Sequence, residues 1–294
     1  MVNIVILGKG FVGNHLYNFL KTKNDLHVDH ISRAQVDYFS EISLKKFLRE
    51  MFHFPHNDIV LINCSGYTGS PNVDACEINK ETCFEYNTVL PVFLSNFCAE
   101  YKHYLINISS GCIYTGYDKE FTEEDTPNFG LYNNDSSFYS KTKHIAELLY
   151  DRSHTSTFRI RMPFCSYMHP KNILTKIINY NNLISYKNSL TSLDELSLAI
   201  YTFLKNSFFR NAPGIYNAVN PGGIDAEEIV QILSKHNIIN KNWKFVKFEE
   251  LNTKANRSNC VLSPCKLEEL DIHFCDSRKA VEESIISIAN EKYN

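Results

Sequence analysis

Short apolar runs alternate with segments of helical period through the amino-terminal half of the chain. Val2 to Leu7 (VNIVIL) is dominated by β-branched and aliphatic residues, the pattern of a strand buried on both faces of a parallel sheet. Phe11, Leu16, Phe19 and Leu20 then recur at helical spacing. Leu26 to Ile31, Asp58 to Asn63, Tyr104 to Ser109 and Thr157 to Met162 repeat the strand pattern. Helices are predicted between them at Ser43 to Phe52 with Ser43 as cap, at Asn79 to Glu100, and from Phe138 onward. This alternation predicts an α/β fold, a Rossmann-type doubly wound parallel sheet. Tyr117 to Asn134, polar and acidic with Pro127 and Gly130, reads as a loop over the sheet rim.

Beyond Pro163 the alternation loosens. Helices are predicted at Asn172 to Tyr180, at Leu193 to Lys205 (started by Ser192 or Asp194), at Asp225 to Lys235 and at Ser277 to Asn290. One more strand is expected at Gly214 to Val219, before the turn Asn220-Pro221-Gly222-Gly223. The expected organisation is a nucleotide-binding Rossmann domain over residues 1–162 and a smaller, mainly substrate-binding subdomain over residues 163–294, some of whose elements return to the sheet.

Composition narrows the partners. The 294 residues, 44% hydrophobic and 21% charged, can bury a sizeable core. A net charge of -3 with no basic run leaves no electrostatic footprint for nucleic acid. Nine cysteines with no C-x-x-C pair and no Cys/His ligand spacing argue against a disulfide framework and against a metal site. No apolar run approaches the ~18 residues of a membrane span, and the chain enters its strand pattern at once. A soluble, unprocessed protein of a cytoplasmic compartment, with reduced thiols and no membrane partner, is the expectation.

The first strand runs into Gly8-Lys9-Gly10-Phe11-Val12-Gly13, a GxGxxG turn in the context that a dinucleotide site requires. Gly8 would make the tight turn, Gly10 admit a pyrophosphate, and Gly13 let the helix opened by Phe11 and Val12 pack on the strand. A glycine-rich turn without a ligand is the alternative. After the second strand stand Ser32 and Arg33, where an acid for a ribose hydroxyl would be usual; a guanidinium there suits a 2′-phosphate and favours NADPH, though Asp29 and Asp37 lie near. Ser65, Gly66 and Tyr67 end the third strand with room for an adenosine or ribose. Asn72, Asp74 and Glu77 follow in a polar loop suited to touching substrate, Asp74 being equally suited to cap a helix. Asn87 within the next helix is either an active-site support or an exposed polar residue.

The fourth strand delivers Ser110 and Cys112 to the rim, and Tyr139 and Lys143 lie four residues apart on one helical face. A phenol of pKa about 10 needs a cation nearby to exchange protons at neutral pH, and Lys143 is placed to supply it and to hold a nicotinamide ribose. Ser110 and Tyr139 together would polarise a ketone while hydride arrives from a cofactor. Cys112 could act on a proton next to that ketone, with Lys176 as the partner acid; a buried filler cysteine is the alternative.

With these residues in place the chain resembles the extended short-chain dehydrogenase/reductases. More closely it resembles the bifunctional UDP-4-keto-6-deoxy-D-glucose 3,5-epimerase/4-reductases of UDP-L-rhamnose biosynthesis, known as the carboxyl-terminal half of plant rhamnose synthases and as free-standing enzymes, including in giant viruses. The resemblance is carried by GKGFVG, NCSGYTGSPNVDACE, SSGCIY, FTEEDTPNFG, FYSKTK, RIRMP followed by NILTKI, LTSLDEL, GIYNAVNPG and NRSN. It implies Ser110, Tyr139 and Lys143 as reductase triad, Cys112 and Lys176 as epimerase acid–base pair, NADPH as reductant, and Arg257 and Asn259 in the nucleotide-sugar pocket. It departs at a shortened Asp151 to Thr157 and at serine for the usual triad threonine. Ser110 is followed by Gly111-Cys112, without the acidic pair of the related 4,6-dehydratases, so a separate dehydratase would supply UDP-4-keto-6-deoxy-D-glucose. A homodimer, and the host cytoplasm for a viral protein, fit the same resemblance. A 4-keto reductase without epimerase activity and a non-catalytic NADP-binding regulatory subunit are the alternatives.

Overall fold

The structure, a computed structural model, describes residues 2–52, 58–239, 241–250 and 253–293. Six strands, β1 (Val2–Leu7), β2 (Leu26–Ile31), β3 (Ile59–Asn63), β4 (Tyr104–Ser110), β5 (Thr155–Ile160) and β6 (Ile215–Asn217), form one sheet in the order β6-β5-β4-β3-β1-β2. Every neighbouring pair is parallel. The strand order reverses at β1, so the crevice for a ligand opens at the carboxyl ends of β1 and β3.

The helices that matter to the site are α1 (Phe11–Leu20), α2 (Glu41–Phe52), α3 (Lys80–Phe84), α4 (Leu90–Tyr101), α5 (Phe138–Leu149), α6 (Ile173–Asn179), α7 (Leu193–Lys205), α8 (Ala226–Lys235) and α9 (Ser277–Tyr293). Side chains alternate across a strand, so an unbroken apolar run must be covered on both faces. Ile4, Ile6, Val60, Ile62, Ile106 and Phe158 pack with α1 and α7. Val5, Leu7, Leu61 and Leu105 pack on the other face with α2 and α4. A third core of Phe164, Leu174, Ile177, Ile229, Val281 and Ile285 joins α6, α8 and α9 beside the sheet. The chain beyond residue 163 thus contributes α7 and β6 to the sheet layers as well as this separate cluster.

The structure departs from the sequence pattern in four places. Ser40, not Ser43, caps α2: its hydroxyl accepts from the Ser43 amide at 3.3 Å and its carbonyl from that of Leu44 at 2.9 Å. The helix predicted across Asn79 to Glu100 opens into a π-turn at Glu85–Val89 between α3 and α4. Pro91 has no N–H for the Asn87 carbonyl, and its ring crowds that carbonyl, which the wider turn relieves. The predicted loop Tyr117 to Asn134 contains most of a strand, Gly116–Phe121, paired with Cys260–Leu262. β5 ends at Ile160, because the Arg161 amide leaves the ladder to bond the Thr191 hydroxyl at 3.0 Å. Among the described residues no helix is long and apolar enough to cross a membrane, and no group of His, Cys, Asp and Glu could hold a metal ion.

Candidate active site

The glycine turn has the geometry that a dinucleotide needs. Gly8 has φ of 101°, which side chains rarely adopt, and a Cβ at Gly13 would lie 2.0 Å from the Gly8 carbonyl oxygen. A Cβ at Gly10 would meet nothing within 4 Å, so the turn is open there. α1 begins without a side-chain cap and without an acid in its first turn, leaving its amide N–H groups for an anion. Phe11 and Val12 line the same cleft as Gly10 and Gly66. Beyond β2, Arg33 is a half-exposed cation 3.3 Å from Glu85 and 3.6 Å from Asp37, lying 4.2 Å over the Phe39 ring. The Ser32 hydroxyl donates to Gln35 at 3.1 Å.

Three residues expected to touch the cofactor, Asn87, Ser65 and Tyr67, are not among those lining the cleft and are hydrogen-bonded to their neighbours. The Asn87 amide is fully buried: its oxygen accepts from the Tyr67 amide at 3.0 Å and its nitrogen donates to the Tyr67 carbonyl at 2.8 Å. The π-turn thus aims Asn87 at the exit of β3, and it shapes the floor at Gly66. The Ser65 hydroxyl is 2.7 Å from that of Tyr38, and the Tyr67 hydroxyl accepts from Asn79 at 2.9 Å.

α5 starts at Ser137, whose hydroxyl accepts from the Ser140 amide at 3.1 Å. Its spacing then stacks Tyr139, Lys143 and Glu147 on one face. Glu147 is fixed by Arg159 at 2.6 Å and by the Ser109 hydroxyl at 2.9 Å, the acid and the base both being buried. The buried Ser110 hydroxyl accepts from the Cys112 amide at 3.2 Å and lies beside the Tyr139 phenol. The Lys143 ammonium lies 5.8 Å from the centre of the Tyr139 ring, and burial pulls its pKa down to about 8 against the pull of Cys83 and Glu147. Burial, and next the nearby Cys112, push the Tyr139 phenol well above its ordinary value, with Ser110 opposing. The expected lowering of the phenol by Lys143 is therefore outweighed: desolvation of the phenolate wins, and Tyr139 holds its proton.

Cys112, half-buried, lines a cavity of about 690 Å³ together with Tyr139 and Lys176. Lys176 reaches it from α6, which Asn172 caps by accepting from the Leu174 amide at 3.0 Å. Burial, then the neighbouring Lys171, lower the Lys176 pKa. One thiol, one phenol and one amine from three separate elements thus face a common space.

The expected substrate residues divide. Asn72, Arg257 and Asn259 line the cavity. Asp74 is not among the cavity-lining residues, and it stands at the N-cap of Ala75–Ile78 without a side-chain cap bond, since its carboxylate binds Arg257 at 2.9 Å and the Ala255 amide at 3.0 Å. Glu77 accepts from the Phe138 amide at 2.6 Å, at the amino end of α5 and outside the main cavity. In both acids the carboxylate is bonded to a partner from a distant segment. Sequence patterning missed Lys171, which lines the cavity and donates to the Gly69 carbonyl at 2.9 Å. It also missed His169, stacked on Phe11 at 4.4 Å, and Asn188, which donates to Asn259 at 3.0 Å. None sits in a periodic or motif position.

A parallel sheet with a glycine turn after its first strand, a serine at the end of its fourth and a tyrosine–lysine pair on the next helix defines an extended short-chain dehydrogenase/reductase. The chain belongs to the family of the RmlD substrate binding domain, whose model matches residues 2–290. It is 36% identical over 221 residues to a bifunctional dTDP-4-dehydrorhamnose 3,5-epimerase/dTDP-4-dehydrorhamnose reductase of Arabidopsis thaliana, covering 72% of this chain and 68% of that protein. It is also 36% identical over 220 residues to a trifunctional UDP-glucose 4,6-dehydratase/UDP-4-keto-6-deoxy-D-glucose 3,5-epimerase/UDP-4-keto-L-rhamnose-reductase of the same plant. That match covers 72% of this chain but only 31% of the plant protein, so the chain spans about a third of its length. Among solved structures, a UDP-rhamnose synthase from Acanthamoeba polyphaga mimivirus has the same fold, with a TM-score of 0.84 at 24% identity over 97% of this chain and 99% of that one. A dTDP-4-dehydrorhamnose reductase from Bacillus anthracis, solved with NADP, gives 0.78 at 16% identity over 97% and 98%.

Proposed function

We propose that the protein binds UDP-4-keto-6-deoxy-D-glucose and NADPH, inverts carbons 3 and 5 of the sugar, and reduces carbon 4 to give UDP-L-rhamnose. The observation that carries this reading is the single cavity lined by Tyr139, Cys112 and Lys176. The names of the relatives, rhamnose synthases and 4-dehydrorhamnose reductases, support the keto reduction.

The glycine turn and the amino end of α1 would hold the pyrophosphate of NADPH, Arg33 its 2′-phosphate, and Lys143 its nicotinamide ribose. When bound, NADPH supplies the hydride for carbon 4. Tyr139 and Ser110 hydrogen-bond the ketone oxygen, and Tyr139, which keeps its proton at neutral pH, donates it as negative charge develops on that oxygen. The same two donors stabilise the enolate formed when Cys112, as thiolate, removes a proton from carbon 3 or 5. Lys176 returns a proton from the opposite side, and the carbon inverts. Arg257 and Asn259 bind the nucleotide-sugar, and a separate 4,6-dehydratase provides it.

The test is Cys112→Ala with unepimerised ketosugar in deuterated water. Solvent deuterium should fail to enter carbons 3 and 5, whereas reduction of a pre-epimerised 4-keto-L-rhamnose should persist. Deuterium entry at the native rate would reduce the reading to a 4-keto reductase.

A further inference from the structure

Two arginines leave β5 two residues apart, and they are treated differently. Arg159 meets Glu147 at 2.6 Å. Arg161, 1% exposed and the largest fully buried side chain, meets no carboxylate within 4.0 Å among the described residues. Its guanidinium donates to the Gly111 carbonyl at 3.2 Å, to the Ser258 hydroxyl at 2.7 Å, to the Ser258 carbonyl at 3.0 Å and to the Asn188 amide oxygen. Its Nε has no hydrogen-bond partner among the described residues. Every acceptor is neutral, so the charge is solvated by dipoles and balanced by none of them.

Groups near Arg161 that can carry negative charge include Cys260, Cys112, Tyr117 and Tyr139, and Cys112 adjoins the Gly111 carbonyl that Arg161 binds at 3.2 Å. Cys260 is fully buried away from the cavity, Tyr117 donates its hydroxyl proton to the Lys187 carbonyl at 2.9 Å, and Tyr139 keeps its proton. Cys112 is the one that faces the cavity and has to become an anion to act as a base. Gly111 brings the two together. A Cβ there would stand 2.3 Å from Leu262 and 3.1 Å from the Arg161 Cγ, so a glycine leaves room for the Leu262 side chain and the Arg161 stem beneath the turn.

We propose that Arg161 is the positioning residue of the epimerisation step: it anchors the Ser110-Gly111-Cys112 turn and supplies the buried positive charge against which Cys112 holds its negative charge. The proposal rests on the epimerase reading above. In the step, the Cys112 thiolate takes the proton from carbon 3 or 5, the C–H electron pair passes into the enolate, and the Lys176 ammonium gives a proton to the other face. Cys112 ends as thiol and Lys176 as amine, both reset by solvent, while Arg161 stays charged throughout.

The experiment reads the rate of Cys112 alkylation by iodoacetamide at pH 7, by mass spectrometry, beside deuterium entry at carbons 3 and 5 and the thermal unfolding midpoint. Asn188→Asp sets a carboxylate against the guanidinium without removing it. A folded Asn188→Asp protein should alkylate and exchange about tenfold more slowly, because a carboxylate beside the guanidinium offsets the positive charge that faces Cys112. Arg161→Met should do the same, and Arg161→Lys should stay within about threefold of the parent because the charge remains. An unchanged alkylation rate in folded Asn188→Asp overturns the proposal. So does failure of all three variants to fold, which would make Arg161 structural only. If the parent protein shows no deuterium entry, the epimerase reading fails by itself, whatever alkylation does. Entry that survives Asn188→Asp defeats only the role given to Arg161.

Discussion

Replacing Lys143 with methionine should make the protein more stable at neutral pH while ending its keto reduction. Lys143 is 6% exposed, and burial holds its pKa at about 8 against 10.5 for a free lysine. At pH 7 both folded and unfolded chains carry the proton, and the folded chain bears the cost of a buried charge. Between about pH 8 and 10.5 the folded chain has lost the proton and the unfolded chain has not. The unfolded state then binds more protons, so stability rises with pH across that window. At about 1.4 kcal/mol per pH unit, the gap corresponds to a penalty of about 3 kcal/mol at pH 7, relieved by pH 10.5. Methionine keeps an unbranched apolar stem of similar length and carries no charge. Urea denaturation of the parent and of Lys143→Met from pH 7 to pH 10.5 isolates this group from all others that titrate. The substituted protein should lead by up to about 3 kcal/mol at pH 7, and the lead should vanish at the alkaline end. A pH-independent difference, or a loss of stability on substitution at pH 7, would refute the reasoning that desolvation dominates at Lys143.

Two further perturbations follow from the same geometry. Glu147→Gln removes the acid of the buried pair with Arg159, leaving an uncompensated cation, and should cost about 3–5 kcal/mol in denaturant unfolding; a loss below about 1 kcal/mol would mean that the pair is solvated like an exposed one. Gly13→Ala places a methyl 2.0 Å from the Gly8 carbonyl oxygen and must move α1 off β1. Overpacking of that kind costs about 1–3 kcal/mol, so NADPH binding followed by cofactor fluorescence should weaken about tenfold or more, and a dissociation constant within twofold of the parent would refute the steric account.

Much of the layout was written locally. An apolar run covered on both faces marks a parallel strand whatever lies around it, and the glycine turn after Val2–Leu7 needs only its own backbone to be recognised. Tyr139 and Lys143 share a face because helical periodicity puts them there. Their protonation was another matter: proximity of a cation suggested a lowered phenol, but burial, a property of the whole fold, reversed the direction.

Sequence by itself therefore determined the strands, most helices, the cofactor turn and the tyrosine–lysine pair, since each depends on neighbours within a helical turn or along one strand. Tertiary structure alone decided which far-separated groups meet. It set Asp74 on Arg257 and Glu77 on Phe138, brought Lys176 round to the cavity that holds Cys112, and buried Arg161 among Gly111, Asn188 and Ser258. Contacts between residues far apart along the chain leave no period in it; they arise because packed cores allow few arrangements of the segments between them.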